Sequence, residues 1–221
     1  MYISKIEVLD KTRCWIHIED EESFWLYRSD INELQLEENQ IISDALFETI
    51  MRDKVLLYAK KKALELLERQ DRSEADLRAK LLQRDFSDTI VSEAIAYAKK
   101  FSYVDDLRFA TNFIYTRSST KSKKQICYSL YQKGVSKDII DEAYSEFLCR
   151  HKEEQQWAGA EEEIEVENPE VLAIEKIVKR KGRPISEYSK EDLMKLTASL
   201  YRKGFSSSNI RKVLSFDPDM E

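Results

Sequence analysis

Apolar positions change their period once along this 221-residue chain. Up to about residue 27 they fall in short runs suited to strands. These are Ile3, Ile6 and Val8, then Cys14-Trp15-Ile16-His17-Ile18, then Ser23-Phe24-Trp25-Leu26-Tyr27 behind the acidic turn Glu19-Asp20-Glu21-Glu22. They predict a small antiparallel hairpin or meander. From about Ser43 the spacing turns helical: Leu46, Ile50 and Leu57 lie on one predicted stripe, which Leu64 and Leu67 continue.

Beyond that point one pattern recurs. Leu81-Leu82-Gln83-Arg84-Asp85-Phe86-Ser87 returns as Leu130-Tyr131-Gln132-Lys133-Gly134-Val135-Ser136 and again as Leu200-Tyr201-Arg202-Lys203-Gly204-Phe205-Ser206. Each copy can be built from its residues. Ser73 with Asp76, and Ser122 with Gln125, have the spacing of a capping box that starts a helix. In the third copy either Ser189 or Asp192 could start it. The pairs Leu77/Leu81, Ile126/Leu130 and Leu196/Leu200 form the buried stripe. Asp85, Gly134 and Gly204 stand at the helix end, where a left-handed residue is expected and glycine adopts that conformation without strain. Phe86, Val135 and Phe205 plug the turn, and Ser87, Ser136 and Ser206 cap the next helix. Val91/Ile95, Ile140/Tyr144 and Ile210/Leu214 then face the core. An apolar helix precedes each copy, over 63–69, 109–117 and 171–181.

The expected fold is therefore all-α: three tandem three-helix repeats in an elongated array, behind a small β element. The domain reading is an N-terminal extension over 1–57, repeats over 58–104, 105–152 and 171–221, and an acidic insertion over 153–170. The insertion accounts for the longer step from Leu130 to Leu200 than from Leu81 to Leu130. A surface helix extension and a linker fit it equally.

Charge sharpens this division. The net charge of −6 is segregated: 1–57 carries 6 basic and 13 acidic side chains, and 151–170 carries 1 and 8. The repeat regions are basic, with 18 against 14 over 58–150 and 11 against 7 over 171–221. Solvated lysine-rich helices and a basic face toward a polyanion or acidic protein explain this equally well. Cys14, Cys127 and Cys149 lack metal-ligand spacing, and with only His17 and His151 beside them a metal site is not expected. Reduced thiols in a cytoplasmic, monomeric protein are the expectation, with no membrane span and no secretion signal.

No phosphate-binding loop, dinucleotide fingerprint or nucleophile elbow is present, so no catalytic residue and no cofactor is expected. Asp105-Asp106 reads as a helix start rather than a metal pair. The candidate contact residues are the cations of the repeats: Arg78, Lys80, Arg84, Lys121, Lys123, Lys124, Lys133, Arg202, Lys203 and Arg211. Arg84, Lys133 and Lys203 recur just before the turn, where a cation also complements the helix dipole. The run Lys60-Lys61-Lys62 reads as a solvated face. Tyr97, Tyr103, Tyr115, Tyr128, Tyr131, Tyr144 and Tyr201 could stack on bases, but their helical spacing predicts half-buried packing residues for the most part.

Ala63-Leu64-Glu65-Leu66-Leu67, Arg72 through Leu81, Tyr103-Val104-Asp105-Asp106-Leu107-Arg108-Phe109-Ala110 and Gln132-Lys133-Gly134-Val135-Ser136 together resemble the RecX family of bacterial recombinase regulators. The resemblance covers about 58–150 strongly and 171–216 moderately. It implies a non-enzymatic protein that binds the RecA filament on single-stranded DNA. Such a protein modulates, most often by inhibition, the recombinase, ATPase and co-protease activities in DNA repair, recombination and the SOS response. Asp85 in place of glycine and the acidic insertion depart from that pattern. The rival reading from the residues is direct DNA binding by tandem helix-turn-helix-like repeats.

Overall fold

The computed structural model describes residues 1–158, 168–182 and 184–215. The chain divides into two compact units, Met1–Asp105 and Asp106–Glu221.

In the first unit, β1 (Tyr2–Val8), β2 (Arg13–Ile18) and β3 (Phe24–Tyr27) form the expected antiparallel meander. Register pairs Ile3 with Ile18 and Trp15 with Trp25. Two short elements were not foreseen: α1 (Arg28–Glu33) and the two-residue β4 (Gln40–Ile41), which adds to the outer edge of β1 to give the order β3-β2-β1-β4. Neither is long enough to show a period. Ile3, Ile16 and Leu26 are buried on the sheet face that meets the helices.

Ser43 caps α2 (Asp44–Ile50), its hydroxyl accepting from the Leu46 N–H. The chain then passes through one π-helical turn, Met51–Val55, into α3 (Leu56–Arg69). That turn corrects the predicted stripe. A π turn holds one residue more than an α turn, so Ile50 is followed on the buried face by Val55, five positions on. The stripe rotates onto Leu56, Ala59, Ala63 and Leu66, and Leu57 is left exposed. With α4 (Glu74–Leu82) and α5 (Asp88–Lys100), α3 completes the first three-helix repeat. One continuous core runs from Ile3 to Val104, so sheet and repeat fold on the same apolar cluster.

The second unit holds α6 (Asp106–Ser118), α7 (Lys123–Gln132) and α8 (Lys137–Ala158), then α9 (Pro169–Lys179), α10 (Lys190–Arg202) and α11 (Ser207–Leu214). The first part of the acidic insertion continues α8 as helix to Ala158. Residues 159–167 lie outside the described residues, as does 216–221.

The repeat is built as its residues dictate. Leu81, Leu130 and Leu200 are buried. Asp85, Gly134 and Gly204 take φ of 65°, 78° and 80°. In the second and third copies the N–H of Val135 and Phe205 reaches back to the carbonyls of Leu130 and Leu200, closing the turn over the buried leucine. Ser73, Ser122 and Ser189 each accept from the N–H three residues on, which assigns the third start to Ser189.

Copies two and three also meet within the second unit. Ser122 Oγ accepts from the Gln125 N–H and donates to the Lys203 carbonyl at 2.6 Å. Glu170 accepts from the Lys123 N–H at 3.0 Å and from Asn209 Nδ2 at 2.8 Å. The start of α7 is thus pinned to the end of α10 and the start of α9.

Candidate functional site

The ten candidate cations fall on both units. Arg78 on α4 turns toward α5, donating to Ser92 Oγ at 3.1 Å and standing 3.8 Å from the Asp88 carboxylate. Lys80 donates to Gln83 Oε1 at 3.3 Å. Arg84 is exposed in the turn after α4. Lys133 lies at the C-terminal end of α7, its ammonium 5.9 Å from the centre of the Phe113 ring. Arg202 and Lys203 close α10 and are exposed, and Arg211 is in the last turn of α11.

Lys121, Lys123 and Lys124 do come together. They rim a groove of about 630 Å³ in the second unit, at the N-terminal end of α7. Its floor is apolar, formed by Ile126 and Cys127 of α7 with Tyr144, Phe147 and Leu148 of α8. Pro169 and Glu170, at the start of α9, form a wall. The Lys123 ammonium stands 4.8 Å from the centre of the Tyr144 ring. Burial pushes the Cys127 thiol up from its ordinary pKa, and Lys123 only partly opposes this. Among the described residues none of the three lysines forms an ion pair.

The tyrosines correct the prediction made from spacing. Tyr144 is buried and Tyr97 half-buried, but Tyr103, Tyr115, Tyr128, Tyr131 and Tyr201 are exposed. On α7 the reason is geometric. The helix buries only the stripe of Ile126 and Leu130, and each residue turns the helix by about 100°. Tyr131 therefore stands about 100° from Leu130, and Tyr128 about 200° from Ile126. Lys124, Tyr128 and Tyr131 share an outer face at i, i+4 and i+7, with Tyr128 65% and Tyr131 66% exposed.

A second feature was missed by sequence reasoning. Thr12, Arg13, Trp25, Tyr27, Tyr58 and Arg84 line a cleft of about 480 Å³ in the first unit, with Lys61 and Lys62 at its edge. The Trp25 and Tyr58 rings stack with centres 5.7 Å apart, and Arg13 lies 4.9 Å over Trp25. Trp25 Nε1 donates to the Arg84 carbonyl at 3.1 Å. The only local signal was the lysine run read as a solvated face. Of that run, Lys60 packs over Tyr97 and Lys62 pairs with Glu65 at 2.7 Å, while Lys61 is exposed. Two of its four cations are already held, Arg13 by Asp10 at 2.7 Å and Lys62 by Glu65 at 2.7 Å. The lysine groove of the second unit is the stronger candidate.

No group of carboxylates, histidines and cysteines that could hold a metal ion occurs among the described residues, and none of their helices is long and apolar enough to cross a membrane.

Comparison with known proteins places the chain in a family. Residues 59–97 match the profile described as RecX, first three-helix domain, and residues 105–143 match RecX, second three-helix domain. The chain is 29% identical over 217 residues to regulatory protein RecX of Clostridium acetobutylicum, covering 96% of this chain and 94% of that one. It is 33% identical over 158 residues to regulatory protein RecX of Caldanaerobacter subterraneus subsp. tengcongensis, covering 71% and 69%. A crystal structure of regulatory protein RecX superposes with a TM-score of 0.56 at 23% identity, covering 97% of this chain and 98% of that one. That of RecX from Lactobacillus salivarius superposes at 0.53, also with 23% identity, over 72% and 94%.

Proposed function

The chain belongs to the RecX family of regulatory proteins, and from that premise we propose that it docks on the RecA nucleoprotein filament and restrains it. The observation that carries this reading is the outer side of the second unit. Lys121, Lys123 and Lys124 form no ion pair among the described residues, and Lys124 continues into the exposed Tyr128 and Tyr131 on a helix pinned at its start by Ser122 and Glu170. A pinned helix presenting cations and aromatic rings offers contact area at small entropic cost. Docking of this kind needs no bond-making chemistry, and the regulatory role of the family accords with that. The place of action would be the cytoplasm, where the filament assembles on single-stranded DNA.

The experiment is RecA-dependent ATP hydrolysis on single-stranded DNA, with this protein added in substoichiometric amounts. Inhibition by the natural chain and its loss in the Lys123→Glu/Lys124→Glu variant are expected. Full inhibition by that variant would remove these lysines from the contact face, and no effect of the natural chain would remove RecA restraint.

A second reading is direct binding of single-stranded DNA, favoured by the exposed tyrosines beside lysines on α7, since base–aromatic stacking contributes about 1–3 kcal/mol per base. Salt separates the two. Tight binding of naked DNA that weakens steeply as salt rises supports the second reading, and binding that requires assembled RecA supports the first.

A further inference from the structure

The three copies of the repeat act as internal controls for one another, and one core position differs in kind. The second residue of the core pair on the last helix is Ile95 in the first copy and Leu214 in the third, both buried. In the second copy it is Tyr144, buried to 6% exposure, and its hydroxyl has no hydrogen-bond partner among the described residues. The scaffold asks only for an apolar side chain in that slot. A buried hydroxyl without a partner is a standing cost to the fold. It lies in the floor of the lysine groove, under the Lys123 ammonium.

We propose that this groove is a docking site for an acidic peptide segment of a protein partner, one that carries a single apolar anchor between carboxylates. Three observations fix the chemistry. Among the described residues the rim holds three cations with no ion pair, and the carboxylate that lines the wall, Glu170, is already engaged by the Lys123 N–H and Asn209. Carboxylates of the occupant meet those lysines. The floor of Ile126, Phe147 and Leu148 suits an aliphatic or aromatic anchor, and about 630 Å³ holds a few side chains. A main-chain carbonyl of the occupant accepts from Tyr144 once the Lys123 side chain swings aside. A nucleic-acid strand fits less well. It brings no aliphatic anchor for the floor, and the Tyr144 and Phe147 rings are buried and offer no face for stacking.

This inference deepens the proposed function and rests on its premise of a protein partner. It is tested without RecA, so that the two can fail separately. The probe is a fluorescein-labelled hexapeptide with one central phenylalanine flanked by aspartates and glutamates, titrated into the full chain and read by anisotropy. Its uncharged asparagine and glutamine counterpart and a labelled oligo-dT are run alongside. The acidic peptide is expected to bind, to be weakened by Lys123→Glu/Lys124→Glu, and to protect Cys127 from iodoacetamide as read by mass spectrometry. Tyr144→Phe is expected to lower its affinity about fivefold, the loss of one neutral hydrogen bond, without lowering the midpoint of thermal unfolding. A merely structural tyrosine would not separate affinity from stability in that way. The proposal is overturned by no binding up to about 1 mM, by equal binding of the uncharged peptide, by oligo-dT protecting Cys127 where the peptide does not, or by unchanged affinity in Tyr144→Phe.

Discussion

Replacing Gly204 by alanine tests how the second and third copies are joined, because a built-in control exists at Gly182. Both glycines are left-handed, with φ of +80° and +79°. An alanine at either pays the left-handed strain, about 1–2 kcal/mol. At Gly182 nothing lies within 4 Å of the added Cβ, so the strain is the whole effect. At Gly204 the new methyl comes 3.0 Å from Lys124 Cβ and 3.2 Å from Ser122 Oγ. The start of α7 must then move back. The Ser122 hydroxyl is spanned by its two bonds, to the Gln125 N–H and to the Lys203 carbonyl. Weakening the second costs about 0.5–1.5 kcal/mol more. The expected losses are about 1.5–3.5 kcal/mol for Gly204→Ala and about 1–2 for Gly182→Ala, read from urea unfolding by far-ultraviolet circular dichroism. Because α7 also carries the lysine rim, Gly204→Ala should weaken binding of the acidic hexapeptide and Gly182→Ala should not. Equal losses of stability at the two glycines would refute the reasoning, since they would show that the junction gives way at no cost.

Ser122→Ala should cost about 1.5–3 kcal/mol against about 1 for Ser189→Ala, because both lose a helix cap but only Ser122 also holds the Lys203 carbonyl; urea midpoints decide. Asp85→Gly should stabilise the first unit by about 0.5–1 kcal/mol, as the relief of a left-handed non-glycine residue exceeds the loss of the partly exposed contact of Asp85 with Arg13 at 3.8 Å; a lower midpoint would contradict this. Burial, then the hydrogen bond to Asp30, holds the Tyr58 phenol above its ordinary 10.0, and Glu33 and Asp30 hold Lys54 above 10.5. Folded values raised above unfolded ones give stability that is complete below about pH 10 and is lost as pH climbs through the folded values. Tyr58→Phe should therefore flatten the fall in stability of the first unit from about pH 10 upward, with hydrogen exchange as the readout.

What could be read in the sequence is what is local. A serine hydroxyl reaching the N–H three residues on, a left-handed residue at a helix end and an apolar plug behind it all lie within a few positions. So the caps at Ser73 and Ser122 and the turns at Asp85, Gly134 and Gly204 stand where the residues put them. The strands β1 to β3 were legible for the same reason. The π turn at Met51–Val55 was not, since a one-residue shift of phase leaves no mark in a pattern that is apolar on both sides of it. The site was legible only as a list of cations. That Lys121, Lys123 and Lys124 border a groove depends on the start of α9 standing beside α7, with Glu170 meeting the Lys123 N–H from 47 residues away. The aromatic cleft depends on Trp25 meeting Arg84, 59 residues away. The exposure of the tyrosines depended on how many neighbours each helix has, which periodicity does not record.

Repetition carries one more consequence. The residue after the buried leucine is Leu82, Tyr131 or Tyr201, and all three are exposed, by 39%, 66% and 66%. Position after position in these copies is explained by the scaffold: leucine for the stripe, a left-handed residue for the turn, serine for the cap. This one is not, because about 100° of helical rotation carries it off the buried stripe, and a polar residue there would leave the fold unchanged. A large apolar group held out to solvent in every copy is what a contact surface needs, and aromatic anchors are the residues most often decisive in such contacts. Tyr131→Ala and Tyr201→Ala should therefore leave the urea midpoint within about 0.5 kcal/mol of the natural chain while reducing inhibition of RecA-dependent ATP hydrolysis severalfold, and more in the double variant than in either single one. If stability falls as much as inhibition does, the tyrosines belong to the scaffold and the contact surface must be sought among the cations alone.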